Sequence, residues 1–168
     1  MANTKKILKS GLWVLLAIVL VMQFFRPEKN TGGASTHDIT TKFLVPERVL
    51  TIFKTACNDC HSNTTEYPWY ANIQPVAWWL NNHVTDGKRH LNFNEFAAYR
   101  PYRQFEKLEE IDELVQVDEM PLQSYTLIHG DASLSAEQKE IISSWTKVLR
   151  DSLRANYPAD SLLKPKRK

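Results

Sequence analysis

"KTACNDCHSNTTEYPWY", Lys54 to Tyr70, holds both cysteines of the chain. Cys57 and Cys60 are separated by two residues, and His61 follows directly. This spacing admits a disulfide, a redox dithiol, half of a zinc site or a haem attachment site. The last accounts for all three residues. Each thiol adds across one vinyl group of haem to give a thioether. Two intervening residues let one helical turn present both sulfurs to neighbouring vinyls. The next imidazole then lies over the iron as an axial ligand. The rivals each lack a part. A thioredoxin-like dithiol belongs in a βαβ pattern, and none surrounds this one. A zinc site needs about four ligands, and His37, His83, His90 and His129 contain no H-x3–5-H pair. A non-haem module that uses the cysteines as a plain disulfide stays open.

A second axial ligand for haem iron is usually Met or His. Met120, in "VDEMPLQSY", is the only methionine beyond residue 22. Pro121 stiffens the loop that carries it. His83, in "WWLNNHVTDGKRHLNF", is the alternative sixth ligand.

The segments around the motif read as helices. Val49, Ile52, Phe53 and Ala56 follow i, i+3, i+4, i+7 spacing and lead into Cys57. "LSAEQKEIISSWTKVLRDSL" repeats the pattern with Ile141, Ile142, Trp145, Val148 and Leu149, with Ser135 and Gln138 as a capping box. "FEKLEEIDELV" is a third helix, burying Phe105, Leu108, Ile111 and either Leu114 or Val115. Strand signals are nearly absent, so the expected class is all-α. Trp69, Trp78 and Trp79 lie shortly after His61 and are expected to bind the cofactor as walls of its pocket.

The N-terminus bears on compartment. Leu12 to Phe25 is an apolar run broken only by Gln23. Counted from Ile7, it makes a helix of about 28 Å, close to a bilayer core of ~30 Å. Lys5, Lys6 and Lys9 lie before the apolar run at Leu12, which puts residues 1–6 in the cytosol and the rest across the membrane. A cleaved signal peptide is the competing reading. The expected organisation is a cytosolic end (1–6), a transmembrane anchor (7–25), a flexible tether (26–42), a haem-binding domain (43–157) and a disordered basic tail (158–168). The tether would reach roughly 20–25 Å. The net charge of +2 conceals a split. Residues 1–26 carry four bases and no acid, leaving 17 basic and 19 acidic side chains beyond, a net of −2. That balance argues against a nucleic-acid partner. Glu106 to Glu119 holds seven acids against Lys107 alone, which suits docking of a basic redox partner.

A helix entering C-x-x-C-H, a Met-Pro loop and a final amphipathic helix is the order of a small class I cytochrome c. More narrowly, Pro46 to Trp145 resembles the monohaem haem-binding domain family of exported bacterial proteins, notably of Bacteroidetes. The resemblance rests on "CNDCHSNTTEYPWYANIQPVAWWL", "HVTDGKRHLNF" and "MPLQSYTLIHGDASLSAEQKEIISSW". It implies one covalent haem c at Cys57 and Cys60, iron ligated by His61, and Met120 as distal ligand. Leu122 stands where such loops often carry a second proline, and Lys88 where arginine is expected. The functional expectation is a non-enzymatic electron carrier, a single-pass protein of the bacterial inner membrane whose domain faces the periplasm. The alternative is a haem-based sensor or small peroxidase with an open sixth position, using His83 or Arg89 as its polar group.

Overall fold

The computed structural model describes residues 2–165. Among them the chain forms α1 (Ala2–Met22), α2 (Glu47–Ala56), α3 (Asn58–His61), α4 (Val76–His90), α5 (Pro101–Gln116), α6 (Gln123–Thr126) and α7 (Ala136–Asn156). Short 3-10 turns connect several of them, and no strand occurs among the described residues. The class is all-α.

Three helices build the core by the apolar periods visible in their sequences. α2 buries Val49, Ile52, Phe53 and Ala56. α5 starts with Pro101 in its first turn, buries Leu108 and Val115, and turns Phe105 and Ile111 partly inward. α7 is capped as expected: Gln138 N donates to Ser135 Oγ at 3.2 Å, and Ser135 N donates to Gln138 Oε1 at 2.8 Å. Its buried stripe is Ile142, Trp145, Thr146, Leu149 and Leu153. Val148, expected inward, is 64% exposed. The stripe of this 21-residue helix follows the i+3 and i+4 steps from Ile142, and Val148 lies off it. Phe53 stacks on Phe93 at 4.4 Å between ring centroids and meets Trp145 edge-on at 5.3 Å. α5 and α7 lie against each other, and Arg150 of α7 donates to Glu109 at 3.2 Å and Asp112 at 3.0 Å.

The N-terminal expectations need correction. α1 ends at Met22, not Phe25, because Gln23 turns back and its Nε2 donates to Val19 O at 2.8 Å. The apolar part from Ile7 to Met22 is thus about 24 Å long, and Lys9 lies within it. No helix among the described residues is long and apolar enough to cross a membrane. The apolar side chains of α1 from Ile7 to Leu20 are nonetheless exposed and unpacked.

The tether is not a free linker. Gln23 Oε1 accepts from Gln74 N at 3.0 Å, and Gln74 Nε2 donates to Phe25 O at 2.7 Å. Asn30 Nδ2 donates to Ser62 O and Thr65 Oγ1, and its Oδ1 accepts from Lys88 Nζ at 2.6 Å. Gly32 N donates to Asn63 O at 2.7 Å. Ile39 is buried in the main core. These bonds dock residues 23–42 on the body. The C-terminal segment is likewise placed: Ala159–Leu162 forms a 3-10 turn, Leu162 packs on the core, and Lys164 pairs with Glu106 at 3.0 Å. The rest of the expected basic tail, Lys166 to Lys168, lies outside the described residues.

Candidate functional site

α2 delivers Cys57, whose N–H donates to Phe53 O at 2.9 Å and closes that helix. Cys57 O then accepts from Cys60 N at 3.2 Å and His61 N at 3.0 Å, winding the single turn of α3. Cys57, Cys60 and His61 therefore share one wall of a cavity of about 430 Å³. Phe53, Leu91, Phe93, Leu114 and Ile142 give it an apolar lining, and Met120 enters it from the turn after α5.

His61 is braced from behind. Its Nδ1 lies 3.0 Å from Leu91 O and 3.1 Å from Gly87 O. Both partners are carbonyls, so Nδ1 carries the hydrogen and Nε2 keeps its lone pair. Gly87 O also accepts from Leu91 N at 2.9 Å, so it is shared between the C-cap of α4 and the imidazole, and Leu91 O lies just past the end of that helix. Burial pushes the His61 pKa down, against the raising effect of those two carbonyls. The imidazole is thus neutral at pH 7, the form that ligates metal. Gly87 brings α4 close: a Cβ there would sit 2.6 Å from Cys60 O.

Both cysteines are free thiols. Burial, helped by Cys60, pushes Cys57 up to about 12, and burial with Asp59 pushes Cys60 up to about 11. Reactive dithiols have lowered pKa values, so the environment is the opposite of a redox dithiol's. No cluster of three or more His, Cys, Asp or Glu that could hold a metal ion occurs among the described residues.

Met120 is held on its N-terminal side by α5. Glu119 N and Met120 N both donate to Leu114 O, at 2.9 and 3.1 Å. Asp118 takes a left-handed conformation at φ 60° to make this turn and pairs with Lys139 at 2.6 Å. A neutral imidazole with a free Nε2 and a thioether facing an apolar cavity are ligands that fit haem iron, and the two thiols stand on the same wall as the imidazole.

The family model described as a haem-binding domain matches residues 17–148, well over half of the chain. The chain belongs to this haem-binding family. No curated protein and no solved structure matches it.

In this haem-binding domain the cofactor is haem, with its iron. The tryptophans are not among the residues that line the cavity of Cys57, Cys60, His61 and Met120. Trp69 is 76% exposed on a 3-10 turn, Trp78 is half-buried, and Trp79 is 43% exposed with its ring against His83 at 4.2 Å. Trp79 borders instead a small neighbouring cavity of about 40 Å³. The aromatic rings that line the larger cavity are Phe53, Phe93 and Tyr125. Phe53 could have been found, one turn before Cys57 on the inward face of α2. Phe93 and Tyr125 reach the site by tertiary folding and carry no local signal. His83 and His90 of α4 also line the cavity. Arg89 does not; it pairs with Asp86 at 2.9 Å on the exposed side.

Proposed function

We propose that the domain is a monohaem c-type cytochrome that passes single electrons, attached to a membrane by α1 and facing the periplasm. One observation carries this reading: a braced imidazole shares a cavity with both free thiols and the Met120 side chain. Haem, when bound, supplies a one-electron iron couple. Cys57 and Cys60 would hold it through thioethers, and His61 Nε2 and Met120 Sδ would ligate the iron. The carbonyls of Gly87 and Leu91 fix the imidazole plane and its tautomer. The Leu114 carbonyl and Pro121 limit the freedom of Met120. Ligands held this firmly need little rearrangement when charge changes. Met120 is favoured over His83 because His83 sits on α4, the helix that already braces His61, whereas Met120 arrives from a separate element.

The membrane part of the proposal rests on the exposed apolar side chains of α1. Release of the full chain from cell membranes by alkaline carbonate would remove it. The partner surface is narrower than the acidic segment suggested. Glu106, Glu109, Glu110, Asp112 and Asp118 pair with the chain's own lysines and arginine, leaving Glu113 and Glu119 without such a pair among the described residues. Glu119, beside Met120, is the better placed for a basic redox protein.

A second reading, a haem sensor or small peroxidase, draws on Asn82 and His83 in the cavity wall. The deciding experiment is a pyridine haemochrome spectrum after expression with a haem c maturation system. A double-thioether spectrum, absent from a Cys57→Ala, Cys60→Ala variant, is expected. A protein without covalent haem would return the cysteines to another role.

A further inference from the structure

Asp59 lies between the two cysteines, and the haem-binding reading gives it no task. Its carboxylate is nevertheless fully engaged. Oδ1 accepts from Glu66 N at 2.9 Å, and Oδ2 accepts from the Tyr125 hydroxyl at 2.8 Å. Its own carbonyl accepts from Thr65 Oγ1 at 2.6 Å. The first and third bonds are local and set the exit from α3. The second spans 66 residues.

Tyr125 belongs to α6, the single turn that follows Met120-Pro121-Leu122. α6 has no side-chain cap and no buried residue, so helical structure alone gives it little hold. Tyr125 supplies the hold. Its ring lines the haem cavity and stacks on His129 at 4.5 Å, and His129 Nε2 pairs with the Tyr70 hydroxyl at 2.9 Å. The segment bearing Met120 is thus fastened to α5 at Leu114 and to α3 at Asp59. The second fastening reaches the turn that carries Cys57, Cys60 and His61.

We propose that Asp59 and Tyr125 form a latch that keeps Met120 engaged as the distal ligand. They are positioning residues and do not touch the iron. The proposal rests on Met120 being that ligand. A hydrogen bond to an ionised carboxylate is stronger than a neutral one. Its loss releases the loop while the attachment turn stays intact.

The test is an imidazole titration of the ferric holoprotein, followed through the long-wavelength Met–iron charge-transfer band. Tyr125→Phe keeps the ring and removes the bond. It is expected to retain the band but to lose it at an imidazole concentration about tenfold lower than the wild type, the size expected for one charged hydrogen bond. Asn156→Ala removes an exposed hydrogen bond at the last residue of α7, the end opposite the Asp118–Lys139 pair, and is expected to leave the midpoint unchanged. Equal midpoints for Tyr125→Phe and the wild type overturn the latch, as does an equal shift from Asn156→Ala. A wild-type holoprotein without the band overturns the Met120 ligation first and the latch with it. The wild-type spectrum alone separates these two failures.

Discussion

Gly87 has no side chain, yet it determines how close α4 can lie to the attachment turn. A methyl group at this position would meet Cys60 O at 2.6 Å and Cys60 Cβ at 3.0 Å. Gly87→Ala is therefore expected to cost about 1–3 kcal/mol, seen as a lower thermal midpoint, and to reduce covalent haem loading. Full loading with an unchanged midpoint would mean that the two helices separate freely. Met120→Ala is expected to keep the thioether haemochrome spectrum and lose the Met–iron band, while His83→Ala keeps both; loss of the band in His83→Ala alone would reverse the ligand choice. The cysteines and His61 were readable because their chemistry is local, set by neighbours in one turn. The brace behind His61 was not. It is made of two backbone carbonyls, which have no residue identity, and one of them, Gly87 O, is shared with the N–H of Leu91.

At the scale of elements, the period of apolar residues predicted α2, α5 and α7, since a helix that must bury a stripe displays it in sequence. Charge was harder to read. The acids from Glu106 to Glu119 look like an open surface along the chain, but α7 lies beside them in space and answers several with Arg150 and Lys139. Arg150 is the centre of this seam, with its side chain 15% exposed. Arg150→Ala is expected to lower stability by about 1–3 kcal/mol in denaturant titration, because two carboxylates lose a charged donor. The exposed Arg154–Asp151 pair serves as the comparison, and Arg154→Ala is expected to change stability by less than about 1 kcal/mol. Similar losses for both variants would deny the seam its special role.

For the whole molecule, the segment between α1 and the body is the main departure from expectation. Its Thr, Gly and Ser content is that of a linker, and composition does not show that Asn30 will find Ser62, Thr65 and Lys88 across the fold. Gln74 is the deepest of these joints, 2% exposed and bonded to both Gln23 and Phe25. Gln74→Ala is expected to speed amide exchange from Gln23 to Gly33 while leaving α7 protected. Uniform exchange across wild type and variant would show that the joint holds nothing.

That joint makes α1 a handle rather than a leash. Whatever surface grips the helix also sets the tilt, height and compass bearing of the cavity. The space the cavity can sweep shrinks from a dome to nearly a point. A swinging carrier can visit its partners in turn. On the proposed reading, a fixed one would work as a stepping stone, and its redox partners would have to come to it.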